Sequence, residues 1–151
     1  MGLFLSTYVN KIDGKGRVSV PATFRAALAA NPFQGIVVFR SRSHQALEGF
    51  GMDDMTEIAQ RLDHFDLFSD TQDDLASMIF AEARQLPFDG DGRIVLPEDL
   101  RGFCGMSDKA AFVGMGRKFQ IWEPEALEKR LADARQNVQD KGLTVPPNKN
   151  A

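Results

Sequence analysis

A chain of 151 residues with 43% hydrophobic residues and a net charge of −3 can form one ordinary domain or two small ones, and its composition is that of a soluble globular protein. No apolar run approaches the roughly 18 residues that span a bilayer, the start lacks the basic region of a signal peptide, and a single cysteine, Cys104, excludes an intramolecular disulfide. These features predict a cytoplasmic protein with no membrane partner, in which Cys104 is a small core residue.

The first half of the chain predicts the order strand, turn, strand, helix, strand, strand, helix. Apolar alternation predicts strands at 7–12, 17–20, 35–39 and 46–50, with a dense turn at 13–16. Pro21 opens a helix that runs to Ala30, where Asn31-Pro32 ends it. A second helix at 52–62 has an apolar face that we expect to be buried, formed by Met55, Ile58, Ala59 and Leu62.

The second half repeats this order after an acidic linker. A loop in the region 63–74 leads into a helix at about 71–84 that is expected to bury Leu75, Met78, Ile79 and Ala83. Strands are predicted at 85–88, 93–96, 110–114 and 118–122, and helices at 97–103 and 124–138. We expect the last helix to turn Leu127 and Leu131 inward over Trp122. The predicted units are therefore 3–62, a linker at 63–84, a second unit at 85–138 and a disordered tail at 139–151.

Charge is distributed unevenly along these units. Residues 1–43 contain six basic residues and one acidic residue, and residues 44–91 contain two basic and twelve acidic residues. Residues 92–151 contain ten basic and eight acidic residues. A basic first segment beside a strongly acidic middle favours a polyanionic partner on one side of the molecule.

One segment of the chain occurs twice, 76 residues apart. Residues 12–25 and 88–101 are identical at six positions, namely Asp13/Asp89, Gly14/Gly90, Gly16/Gly92, Arg17/Arg93, Pro21/Pro97 and Arg25/Arg101. A repeat that keeps turn formers, strand formers and arginines in register indicates a duplicated structural unit. Because a hairpin of two such short strands is marginal alone, we expect each copy to interlock with the other.

The shared motif, Asp-Gly-x-Gly-Arg, combines a tight turn with a projecting arginine. The aspartate can accept backbone N–H groups, and glycine permits conformations closed to other residues. The arginine presents a planar fork of donors that suits guanine edges or phosphates. A simpler interpretation is a local salt bridge that only pins the turn. The cluster of Lys11, Lys15 and Arg25 around Arg17 favours a phosphate-facing surface.

These residues resemble the MraZ family of bacterial transcriptional regulators, which are built from two copies of the swapped-hairpin domain of the AbrB superfamily. The resemblance rests on Asp-x-x-x-Arg at 13–17 and 89–93 and on the Val-Pro and Leu-Pro steps that follow, and it spans about residues 3–138. It implies an α+β fold with a tandem pseudo-two-fold repeat of the swapped-hairpin AbrB fold, a double-psi-like small β-barrel with helices.

The resemblance also implies a function. MraZ proteins are similar to one another in forming homo-oligomeric rings, commonly octamers or dodecamers, that bind direct repeats of a short G-rich box in double-stranded DNA upstream of the division and cell-wall gene cluster. The chain would then be a nucleoid-associated, sequence-specific regulator and not an enzyme, with no catalytic residue, metal or cofactor. The expected DNA-binding residues are Lys11, Lys15, Arg17, Arg25 and Arg93, and the turn-forming residues are Asp13, Gly14, Gly16, Asp89, Gly90 and Gly92.

Two departures from the family pattern make the repeats unequal. The second turn has Asp91 where the first has Lys15, and the region 41–50 lacks the usual aromatic-rich strand, so that Trp122 has no tryptophan counterpart in the first half. We therefore expect Arg17 and the first repeat to dominate DNA binding. A ring would reconcile the acidic net charge with DNA binding, because its basic turns could line one face while the acidic segments lie away from it.

Two other classes of function have weaker support. A metal-dependent hydrolase would draw on Asp63, Asp66, Asp70, Asp73 and Asp74 with His44 and His64, but their spacing lacks the glycine and closing glutamate of a calcium loop, and two histidines make a poor zinc site. An antitoxin-like swapped-hairpin interaction module usually has one copy of the motif and a long disordered extension, whereas this chain has two copies and a short tail.

Overall fold

The computed structural model describes residues 2–66 and 68–148. The elements of the first half are β1 (Thr7–Lys11), β2 (Arg17–Ser19), α1 (Ala22–Ala27), β3 (Gly35–Arg40), β4 (Leu47–Phe50) and α2 (Met52–Leu62). The linker forms α3 (Asp70–Ala76) and a π-helical segment (Ser77–Ala81). The second half contains β5 (Arg84–Pro87), β6 (Arg93–Val95), α4 (Glu98–Cys104), β7 (Lys109–Gly114), β8 (Phe119–Trp122) and α5 (Pro124–Lys141). The predicted order of elements is confirmed.

The two halves exchange their first strands. Six antiparallel strands form one sheet in the order β1-β7-β8-β4-β3-β5, so β1 pairs with the second half and β5 with the first. Strands β2 and β6 pair with each other as a separate two-stranded ribbon, and β4 meets β8 at the centre of the sheet. The α+β swapped-hairpin architecture and the interlocking of the two copies are therefore confirmed.

The main core lies between the inner face of the six-stranded sheet and the β2–β6 ribbon. Val18 and Ile94 of the ribbon belong to one cluster with Leu47, Phe112 and Phe119 of the sheet, and each of these residues is at most 1% exposed. Full burial of such a side chain contributes about 1.5–3 kcal/mol. The ribbon is too short to be stable alone, so its position depends on this core.

Helices cover two flanks of the outer face of the sheet. Leu127 of α5 packs with Trp122 and Val113, which confirms that the tryptophan lies beneath the last helix. On the other flank, α2 and the π-helical segment pack against Val37 and Phe39 of β3. Strands β4 and β8 run between these flanks, at the junction of the two halves.

Cys104 is a core residue, as predicted. Its side chain lies at the end of α4 and is 5% exposed. Burial raises the pKa of the thiol to about 12, so the sulfur is protonated and unreactive at neutral pH.

Three predicted helix ends are wrong. Helix α1 stops at Ala27, three residues early, with Leu28 as its C-cap. The linker helix ends at Ala81 because Arg84 already pairs with Val38 in the sheet. Helix α5 continues through 139–141, the start of the predicted tail, until Gly142 ends it with a φ of 58°. Residues 142–148 form no helix or strand, and 149–151 of the predicted tail lie outside the described residues.

Several helix positions predicted to be buried are not. The positions that are only half-buried are Ile58, Leu75, Met78, Ile79 and Ala83, and the exposed ones are Ala59 and Leu131. A single layer of helices covers the outer face, and nothing in the described part of the chain packs on its far side. None of the helices in the described ranges has the length and apolar character that crossing a membrane requires.

Candidate nucleic-acid interface

The first Asp-Gly-x-Gly-Arg turn is closed by its own aspartate. Asp13 Oδ1 accepts hydrogen bonds from the backbone N–H groups of Lys15 and Arg17, both at 2.9 Å, and Asp13 Oδ2 accepts one from Arg17 Nε at 2.7 Å. Gly16 has a φ of 82°, which favours glycine. The hydrogen bond from the backbone N–H of Arg17 has the largest effect on the pKa of Asp13. Together with the hydrogen bonds from the Arg17 side chain and the N–H of Lys15, it outweighs desolvation and lowers this pKa to about 2. Both the predicted cap and the predicted local salt bridge are present.

The second turn reproduces this arrangement with one added carboxylate. Asp89 Oδ1 accepts from the N–H groups of Asp91 and Arg93 at 2.8 and 2.9 Å, and Asp89 Oδ2 accepts from Arg93 Nε at 2.9 Å. The N–H of Arg93 contributes most to lowering the pKa of Asp89. Arg93 Nη2 also lies 3.3 Å from Asp91 Oδ2, at the position where the first turn has a lysine. The second arginine is therefore more fully neutralised than the first.

The β2–β6 ribbon places both arginines on one face. Arg17 lies opposite Val95, and Ser19 lies opposite Arg93, while the residue between them in each strand is buried in the core. Arg17 and Arg93 are thus diagonal neighbours, a relationship that separates positions by about 7–8 Å. Their side chains are 35% and 31% exposed. They are neither sealed inside the protein nor scattered over its surface.

A second pair of arginines holds each turn against the opposite repeat. Arg25 Nε donates to the main-chain carbonyl five residues earlier, at 3.2 Å, and its guanidinium lies over Gly92, where a Cβ would come within 2.6 Å of Arg25 Cζ. Arg101 donates to the equivalent carbonyl at 3.0 Å and lies over Gly16. Arg25, expected to bind DNA, therefore has a structural position at the contact between the turns, and so does Arg101.

Lys11 lies beside Lys109, a neighbour that no local sequence pattern indicates. The register of β1 with β7 places Lys11 directly opposite Lys109, and both side chains are exposed. Like charges directly opposite each other repel, and a nearby polyanion would reduce this repulsion. At the equivalent place in the other repeat, Pro87 lies opposite Gly35. The lysine pair depends on strand exchange and register, for which the sequence carries no local signal.

The residues of the metal-dependent alternative do not assemble into a site. Among residues 2–66 and 68–148, no three histidine, cysteine, aspartate or glutamate side chains are grouped closely enough to hold a metal ion. The five linker aspartates are exposed, as is His64. His44 instead packs its ring against Trp122, with 5.2 Å between the ring centroids.

Exchanged strands, two aspartate-capped turns and a shared arginine face define a tandem swapped-hairpin protein. A family model described as "MraZ protein, putative antitoxin-like" matches residues 3–77 and again 79–143. The chain belongs to the MraZ family, as the paired motifs predicted.

Similar proteins with the name "Transcriptional regulator MraZ" cover most of the chain. The protein from Rickettsia akari is 40% identical over 96% of this chain and 97% of its own length. Those from Gluconobacter oxydans and Gluconacetobacter diazotrophicus are 45% and 44% identical, over 89% and 97% of this chain and 84% and 93% of their own lengths. That name describes a regulator of transcription, which is not a class of enzyme.

Proposed function

We propose that this chain is a DNA-binding transcriptional regulator that contacts duplex DNA with the outer face of the β2–β6 ribbon. The observation that carries the proposal is the exposure of Arg17 and Arg93 on that one face. Asp13 holds Arg17 only at Nε, and the terminal nitrogens have no partner within the described chain. An arginine anchored in this way presents two parallel donors, the geometry that matches O6 and N7 of guanine.

The first repeat is proposed to make the stronger contact. Lys15 lies within its turn and would neutralise a backbone phosphate next to the base contact of Arg17. The exposed pair Lys11 and Lys109 lies where β1 leads into that turn and would add positive charge nearby. The second turn offers Arg93 alone, and Asp91 beside it would repel a phosphate. Arg25 is proposed to add positive charge to this surface while its guanidinium supports the turns.

We further propose that copies of this chain form an octameric or dodecameric ring on the nucleoid. The ribbons of successive subunits would then meet direct repeats of a short G-rich box upstream of the division and cell-wall gene cluster. Membership of the MraZ family supports this assembly. We expect a single subunit with a net charge of −3 to bind DNA weakly, and linked subunits would add their contacts through effective concentration.

A mobility-shift assay with the DNA upstream of its own gene tests the DNA contact. Arg17→Ala should abolish the shift, since a bidentate base contact is worth about 1–3 kcal/mol per subunit, and Arg93→Ala should weaken it. Arg61→Ala is the matched control, because Arg61 is 69% exposed on α2, which packs on the face of the sheet opposite the ribbon. Full binding by both ribbon variants would remove these arginines from the mechanism.

Size-exclusion chromatography with light scattering tests the assembly. A discrete species of eight or twelve subunits is expected, whereas a dimer would favour the antitoxin-like interaction module. A variant that stays monomeric should bind operator DNA far more weakly than the ring. Equal affinity of the two forms would exclude binding through linked subunits.

A further inference from the structure

A polar cavity of about 360 Å³ opens on the outer face of the sheet, between the two helical flanks. Its floor is formed by Glu48 in β4 and Gln120 in β8, which lie directly opposite each other. Their neighbours along the strands face the main core, so these two residues lie on the outer face. The β3–β4 loop, the β7–β8 turn and α5 surround it, and they contribute Arg42, Lys118 and Arg130. The cavity therefore lies where the two halves of the chain meet.

The charges that line this cavity do not balance. Lys118 Nζ and Gln120 Nε2 donate to Glu48 Oε1 at 2.9 and 3.1 Å, so the one carboxylate among the lining residues is already matched by a lysine. The side chains of Arg42 and Arg130 form no hydrogen bond or ion pair with any other residue in the described ranges. Two positive charges from opposite halves of the chain are left without a partner at one concave site.

The lack of a side-chain partner distinguishes Arg42 and Arg130 from most other arginines of the chain. The arginines that contact a carboxylate are Arg17, Arg40, Arg61, Arg84, Arg93 and Arg117. Arg25 and Arg101 donate to main-chain carbonyls. Arg135 is also unpaired among the described residues, but it lies farther along α5 and is not one of the residues that line the cavity.

We propose that this cavity binds a small anion that carries a phosphate group, held between Arg42 and Arg130. Guanidinium groups bind phosphate oxygens through two parallel charge-assisted hydrogen bonds, and the volume is that of a small-ligand site. The phosphate could belong to DNA or to a free phosphorylated molecule. The ribbon covers the inner face of the sheet and the cavity opens on the outer face, so the structure favours the free molecule.

Trp122 provides a reporter for this site. It is the only tryptophan in the chain, and its Nε1 donates to Gln120 Oε1 at 2.9 Å. The ring of His44, another residue that lines the cavity, lies 5.2 Å from the tryptophan ring. An anion that displaces water or moves either neighbour should therefore change the tryptophan fluorescence.

The full chain should be titrated with inorganic phosphate and with pyrophosphate at constant ionic strength, with Trp122 fluorescence and calorimetry as readouts. Saturable binding of one anion per subunit is expected, at least tenfold weaker in Arg42→Gln and in Arg130→Gln. Arg135→Gln, which removes an unpaired arginine from the same helix as Arg130, should bind like the wild type. Absence of saturable binding, or equal weakening by Arg135→Gln, would overturn the proposal.

A mobility shift with the same variants separates the two sources of phosphate. If the ligand is a free molecule, Arg42→Gln and Arg130→Gln should shift DNA as the wild type does. Weaker DNA binding by both variants, with no pyrophosphate binding by the wild type, would assign the site to DNA and overturn the assignment to a free anion. If either substitution instead dissociates the oligomer, the cavity is a subunit contact and the proposal fails. The proposed anion site does not depend on the proposed DNA contact. If Arg17→Ala left DNA binding intact, pyrophosphate binding would still be expected.

Discussion

Arg17 and Arg93 occupy equivalent positions, but the groups around them differ. Each donates through Nε to the aspartate of its own turn, at 2.7 and 2.9 Å. Arg93 has the carboxylate of Asp91 as a second neighbour, and that side chain is 78% exposed on the turn. A DNA phosphate that approaches the second turn meets a negative charge, whereas at the first turn it meets Lys15. One residue position therefore accounts for much of the inequality between the repeats.

Asp91→Lys, which copies Lys15 into the second turn, should strengthen DNA binding. The change frees the terminal nitrogen of Arg93 and adds a phosphate contact, so the plot of log affinity against log salt should steepen by about 0.9 per engaged subunit. Mobility shifts at several salt concentrations measure this slope. Asp133→Lys makes the same charge change on an exposed part of α5 and serves as the control. Equal gains in the two variants would mean that net charge, and not the turn, determines affinity.

At the level of the elements, each short strand depends on the opposite repeat. The N–H of Val20 donates to the carbonyl of Gly92 at 3.1 Å, and the N–H of Leu96 donates to that of Gly16 at 2.8 Å. The guanidinium of Arg25 or Arg101 covers each glycine. These glycines therefore provide both a left-handed backbone and the space for a close contact. The two ribbon strands, three residues each, are stabilised mainly by this contact and by the core beneath them.

Gly16→Ala should lower the free energy of unfolding by about 1–2 kcal/mol, because a side chain at a φ of 82° is strained. The added Cβ would also lie 3.2 Å from the carbonyl oxygen of Leu96. Denaturant unfolding measures the loss. Gly14→Ala, two residues earlier, is the control, since its Cβ would meet no atom within 4 Å, and it should change stability by less than about 0.5 kcal/mol. Equal losses would contradict the strain argument.

Over the whole molecule, the two sides of the sheet have different electrostatic character. The acidic linker continues from α2 through α3 into the π-helical segment, and this side of the molecule packs on the outer face of the sheet. The ribbon, which carries Arg17 and Arg93, lies over the inner face. A chain with a net charge of −3 can therefore present a cationic surface to DNA while its acidic segment stays on the other side.

Lys15→Gln should weaken binding to all DNA sequences by a similar factor and should reduce the salt slope by about 0.9 per engaged subunit, because Lys15 is expected to contact phosphate and not a base. Lys129→Gln removes an exposed lysine from α5 and should leave the slope unchanged. The slope is measured by titrating salt against a labelled operator and an unrelated duplex of equal length. A change confined to the operator would instead assign Lys15 to base recognition.

The sequence by itself determined the repeat, the order of the elements and the two aspartate-capped turns. These features follow from local properties, namely turn chemistry, apolar periodicity and the arginine at the fifth position of the motif. Only the tertiary structure decided which strands exchange, how Lys11 meets Lys109, and that Arg25 lies over the turn of the other repeat. It also decided which apolar helix positions remain at the surface, and that Arg42 and Arg130 converge on one cavity. These features depend on long-range pairing and on packing between layers, which join residues too far apart in the chain for any local pattern to relate them.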